Sequence, residues 1–259
     1  MTSKQVWLIL AVLLVALAIP PGCGPRPTEY TMLAPYGARQ VWAVVPLRNE
    51  SGSGFADGYR FADELAVVFE KVEGIDVLSV NRVIQAMQGL EMQAVRSRED
   101  AIKLREVLGV DALVVGTVTS YEPYDPMRVG MALDLYASAS NGEPQGFDIR
   151  GMSWTPTADG AGMQQQTLYR HDQPVTTVSA VFGASSPLVR DRLDEFAYGR
   201  GTSGNWAHDR RLYTLNMNLF IEFVSHEMGS HLVWAEWKRF ARAYQAELRE
   251  QQAANPPAP

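Results

Sequence analysis

The chain has 259 residues, of which 46% are hydrophobic and 20% charged, and a formal charge of −6. This composition excludes global disorder and is enough for a substantial core, in one large domain or two small ones. An acidic chain is also a poor ligand for nucleic acid, whose binding depends on Lys and Arg neutralising phosphates, so no nucleic-acid partner is expected.

Lys4 precedes an apolar run over residues 6–19, followed by Pro20, Pro21, Gly22 and Cys23. That is the layout of a secretory signal peptide, here residues 1–22, and the run is short for a bilayer span of about 20 residues. Cys23 is the only cysteine, which rules out an internal disulfide. Its place after Gly22 resembles the lipobox of bacterial lipoproteins, although Pro21 and Pro20 replace the small residue and leucine of that pattern. The resemblance implies that Cys23 is the lipidation site; the alternative is a secreted protein with a free thiol. Multiple acyl chains would hold such a protein firmly on a membrane, where one chain binds only marginally. Residues 23–39, rich in proline and polar groups, are expected to form a lipidated tether, and a single domain is expected over 40–252.

Residues 41–47 predict a first strand, VWAVVPL, and 48–58 a turn-rich connection. Phe61, Leu65, Val68 and Phe69 share one side of a helix over 59–72, with Gly74 as its stop. A short strand over 76–80 leads to a helix with Asn81 as N-cap and Gly89 as its end. Ser97 and Asp100 have capping-box spacing before Ala101, Leu104 and Leu108, and Gly109 stops that helix. Residues 111–120, DALVVGTVTS, form a continuous β-prone run, as expected of a central strand buried on both faces. In it Gly116 would permit close approach of a neighbour. After a proline-bounded turn over 121–126, Val129, Met131, Leu133 and Leu135 alternate with Arg128, Gly130, Ala132 and Asp134. This is a strand covered on one face, pairing antiparallel with the central one. The fold class predicted is α/β: three layers, a mostly parallel sheet with an antiparallel strand, and a long carboxy-terminal helical extension.

The runs AVVPLRNESGSG, GIDVLSVNRVIQAM and SREDAIKLREVLGVDALVVGTV resemble the domain shared by the TolB amino-terminal region, the curli-secretion lipoprotein CsgG and the lipoprotein LpoB. Pro46, Asn49, Arg82, Gly109, Asp111, Val114, Gly116 and Val118 occupy the matching positions, within residues 40–136. The resemblance implies an α/β domain of envelope lipoproteins that bind or assemble with other proteins, and it brings no catalytic residue.

Beyond it, 137–252 is an extension: a polar loop over 138–146, a strand over 147–154, a Gly- and Gln-rich mobile stretch over 155–166 and a strand over 175–182. A helix begins at Ser186 and Pro187 and ends before Gly199, and 199–205 is a glycine-rich hinge. An apolar stripe from Leu219 to Leu248 then marks a long helix over about 210–252, with Gly229 as the point of a bend or split. Residues 253–259 form a disordered tail.

His226, Glu227 and His231 suggest a zinc-protease motif, but five residues at about 100° each put the two imidazoles about 140° apart around a helix. Gly52, Gly54 and Gly58 precede a helix as a nucleotide loop would, yet no P-loop lysine follows, and Glu50 and Asp57 would repel phosphate. No G-x-S-x-G occurs. No catalytic, metal or cofactor residue is therefore assigned, and no cofactor is expected.

Trp234, Trp237 and Arg242, with Lys238 and Arg239, fit a core-packed stripe, a membrane-surface helix or a groove-binding helix, and they are nominated as the interaction surface. The function expected is a non-catalytic module for protein binding or assembly, held by lipid at the periplasmic face of the outer membrane. Its partners are envelope proteins, with self-association left open. The alternatives are a subunit of an outer-membrane secretion channel and a hydrolase.

Overall fold

A computed structural model of the chain describes residues 32–137, 173–200 and 206–254. The chain divides after Tyr30, and every described residue lies in the second unit. The strands are β1 (Gln40–Val44), β2 (Arg48–Asn49), β3 (Ile75–Leu78), β4 (Ala112–Glu122), β5 (Arg128–Ala137) and β6 (Thr176–Gly183). The helices are α1 (Gly58–Glu70), α2 (Val80–Gly89), α3 (Arg98–Leu108), α4 (Pro187–Arg200), α5 (Trp206–Leu215) and α6 (Met217–Ala254).

The strands form one sheet of order β3-β1-β4-β5-β6, with β2 beside β4. The pairs among β1, β2, β3 and β4 are parallel, whereas β5 and β6 are added antiparallel. Side chains alternate between the two faces of a strand, so one strand can feed two cores. Trp42, Val44, Ala112 and Val114 enter the core that also holds buried residues of α1 and α6. Ala43, Val45 and Leu113 enter the second, with residues of α2 and α3. The fold is α/β with helices on both faces of the sheet, as the alternation of elements predicts. In β5, Val129, Met131, Leu133 and Leu135 are buried as the alternation predicts, but of the residues expected to face water only Arg128 is exposed: Ala132 and Asp134 are half-buried, and Gly130 is buried against Thr119 and Ser120 of β4.

Pro46 interrupts the first strand, because it has no N–H to give the ladder. The chain turns Leu47 inward there, and the Leu47 amide donates to the Gly58 carbonyl at 3.0 Å. Two glycines make room for Leu47. A methyl on Gly116 would stand 2.6 Å from Leu47 Cγ and 2.9 Å from Leu133 Cδ2, and one on Gly58 would stand 1.8 Å from the Leu47 carbonyl oxygen. The glycine-rich run therefore brings the start of α1 against the backbone that follows β1, while Gly52 makes its turn at a φ of 75°.

Several boundaries differ from expectation for local reasons. The capping box of Ser97 and Asp100 forms, and Gly109 closes α3 in the left-handed region. The N-cap position of α2 is Ser79 rather than Asn81. The helix α4 continues through Gly199 to Arg200. The long carboxy-terminal helix breaks at Asn216, whose Oδ1 accepts from the Asn218 amide at 2.9 Å, runs unbroken through Gly229, and takes in Ala253 and Ala254, the first two residues of the expected tail. The signal peptide, Cys23, residues 24–31, the segments expected over 138–166, and 255–259 lie outside the described residues.

Gly116→Ala is expected to lose about 1–3 kcal/mol of stability through overpacking, as measured by urea denaturation. Gly54→Ala, where the added methyl meets nothing within 4 Å, is expected to stay within about 0.5 kcal/mol of the parent.

Candidate interaction surface around the carboxy-terminal helix

The 38 residues of α6 make a helix about 57 Å long. Phe220, Phe223, Val224, Met228, Leu232 and Val233 recur at threes and fours, and all are buried. A methyl on Gly229 would come within 2.6 Å of Val68 Cγ1, so this glycine sets how closely α6 lies on α1 instead of bending it. The two helices run in the same sense: Glu222 acts electrostatically on Glu64, and Gly229 meets Val68 further along. Past α1, α6 meets residues 33–36, which lead into β1.

That meeting is a clasp. Residues 32–39, expected as part of the tether, are instead a strap of the folded body: Ala34 is buried, and the strap pairs with the turn before β3 through Ala34 N to Glu73 O at 2.9 Å and Glu73 N to Met32 O at 2.8 Å. Trp237 Nε1 donates to the Leu33 carbonyl at 2.6 Å. The Tyr36 hydroxyl donates to Glu236 Oε2 at 3.1 Å, and its ring meets Phe240 edge-on at 5.2 Å. Glu236 is fully buried, and it also accepts from Thr176 Oγ1 of β6 and from both Nε and Nη2 of Arg239, at 2.9 and 2.8 Å. Burial first, and then the Glu236 carboxylate, raises the Tyr36 phenol well above its usual pKa.

The nominated side chains separate. Trp237 turns inward to the strap, and Arg239 is bound to Glu236. Trp234 is 43% exposed, with the Lys238 ammonium 5.3 Å from its ring centroid, and Arg242 is exposed. From Gln245 to Arg249 every side chain is exposed, so the end of α6 leaves the body just beyond the clasp.

His226 and His231 face different neighbours, as their spacing requires: His226 lies 5.0 Å from the Phe196 ring and His231 stacks at 6.3 Å on Phe182. Burial lowers the His231 imidazole, aided by Arg192 and Lys238, and burial raises the nearby Glu227 carboxyl. No group of three His, Cys, Asp or Glu able to hold a metal occurs among the described residues. No described helix is long and apolar enough to cross a membrane.

The opposite end of the sheet carries a second surface, which sequence patterning did not single out. The Glu50 amide donates to the Val118 carbonyl, which holds the loop after β2 beside the far end of β4. Asn49 organises that loop, donating to Ser53 O at 2.7 Å and accepting from Ser51 N and Oγ at 3.1 and 2.7 Å. Phe55 (71%), Tyr59 (55%) and, at the β4–β5 turn, Tyr124 (77%) stand exposed.

No family model and no curated protein matches the chain. Among solved structures it is similar to the LpoB carboxy-terminal domain from Salmonella enterica, at 14% identity and a TM-score of 0.33, over 40% of this chain and 76% of that one. It is also similar to lipoprotein GNA1162 from Neisseria meningitidis, at 17% identity and a TM-score of 0.36, over 64% and 99%. A third similarity is to the hypothetical protein CT253 from Chlamydia trachomatis, at 11% identity and a TM-score of 0.39, over 77% and 98%. Likenesses this distant assign neither family nor function.

Raising the Tyr36 pKa means that the folded chain favours the neutral phenol. The stability it contributes is therefore complete below the ordinary tyrosine pKa of about 10 and is lost as pH rises through the raised value. Tyr36→Phe should cost about 1–3 kcal/mol at pH 7, and its deficit against the parent should shrink above about pH 10 in urea titrations. A deficit independent of pH would contradict the clasp.

Proposed function

We propose that the protein is a lipid-anchored, non-catalytic module that binds other proteins of the cell envelope, held through Cys23 at the periplasmic face of the outer membrane. The observation that carries this reading is the opposed placement of its two ends. The strap enters the body beside the first residues of β1, β3 and β4, and the parallel strands lead away from it. Over the 11 residues of β4 that is a path of about 36 Å, at whose far end Phe55, Tyr59 and Tyr124 are exposed.

A tether entering at one end leaves the other end facing away from the lipid. Exposed aromatics on and beside a loop that its own hydrogen bonds hold in shape are suited to a protein partner, since such side chains supply contact area at little cost in conformational entropy. The buried polar groups at the clasp satisfy one another, which is the arrangement of a structural joint. No observation among the described residues favours the channel or hydrolase alternatives.

Replacing Cys23 with Ser should move the protein from the membrane fraction to the soluble fraction of the envelope, as read by fractionation and immunoblotting. A Cys23→Ser variant that stays in the pellet through an alkaline wash would refute the anchor.

A further inference from the structure

On α6, Trp234, Lys238, Arg242 and Arg249 are all exposed. At about 100° per residue their positions fall within a sector of about 80°, over a length of about 22 Å. The two acidic residues of the same stretch lie elsewhere: Glu236 is buried in the clasp, and Glu247 falls on the side of the helix opposite Lys238. The outward face therefore carries three basic residues, one tryptophan and the neutral Gln245, with no acidic residue, on a chain whose net charge is −6.

Two further facts locate this face. Trp237, next to Lys238 in sequence, binds the strap at Leu33, so the stripe begins where the strap joins the body. Cys23 is nine residues from Met32, a span of about 30 Å at full extension. The end of α6 leaves the body at this same place, with residues 245–249 exposed and nothing of the described fold covering them. An exposed helical end of this kind gains little stability by itself.

We infer that the Trp234, Lys238, Arg242 and Arg249 face of α6 is a docking surface for anionic phospholipid headgroups. It rests on the reading of Cys23 as a lipid anchor. Lys and Arg near an anionic bilayer are each attracted to it, and an interfacial tryptophan sits at headgroup level. The acyl chains hold the protein to the membrane, and this face fixes its orientation, so that the aromatic loops at the other end point away. One anchor alone leaves a tethered domain free to tumble; a second contact about 30 Å or less along the tether removes most of that freedom.

The test uses residues 24–259, which retain the whole second unit of the chain but not the acylated cysteine, so binding here is independent of the anchor. Co-sedimentation with vesicles of phosphatidylglycerol and phosphatidylcholine should show partitioning that is abolished by 0.5 M salt and is absent with pure phosphatidylcholine. Lys238→Glu, Arg242→Glu and Arg249→Glu combined should weaken partitioning at least tenfold while leaving the thermal midpoint unchanged. Trp234→Ala should weaken it on the same vesicles by a smaller factor. Parent protein that ignores anionic vesicles, or a triple variant that binds them as the parent does, overturns the inference. Neither result would touch the anchor, which the Cys23→Ser fractionation reads separately.

Discussion

Burying a carboxyl group costs several kcal/mol unless its acceptor sites are filled, and Glu236 is fully buried where α6 crosses the strap. Its oxygens take hydrogen bonds from Tyr36 of the strap, Thr176 of β6 and Arg239 of its own helix. Removing any donor would leave a buried acceptor exposed to the full desolvation cost. The three elements are therefore held in one arrangement, and the first residues of the folded unit are joined to a helix 200 positions away. The Trp237 hydrogen bond to the Leu33 carbonyl and the edge-on packing of Tyr36 on Phe240 reinforce that joint.

The polarity of the molecule follows from this joint. Because the strap runs straight into β1, and β3 and β4 start beside β1, the parallel strands carry the chain away from the strap. Leu47, between Gly58 and Gly116, brings the start of α1 back onto the sheet and fixes the loop that carries Phe55. The helix α6, lying along α1 in the same sense, continues past the strap. One end of the domain is thus basic and indole-bearing, and the other presents aromatic loops.

Much of the sheet was legible because its signals are local and periodic. The run through Gly116, the alternation from Val129 to Leu135 and the Ser97–Asp100 cap each state their structure within a few residues. The nominated surface was legible only in part. Trp234 and Trp237 are three positions apart, and helical spacing alone cannot tell which faces outward; the strap carbonyl that captures Trp237 lies 204 positions earlier. The net charge of −6 likewise conceals a basic face, since a sum over the chain carries no position. The break expected at Gly229 falls at Asn216 for the same kind of reason. A glycine that a neighbouring helix needs for close packing stays helical, while an asparagine able to cap the next helix starts it.

The central claim is that the two ends of the domain face different things, lipid at the α6 end and protein at the loop end. Photocrosslinking in living cells, with a benzophenone side chain placed in turn at Tyr124 and at Arg242, tests it most directly. Discrete protein adducts at position 124 and none at 242 are the result this account predicts. Protein adducts at 242 with none at 124 would contradict it.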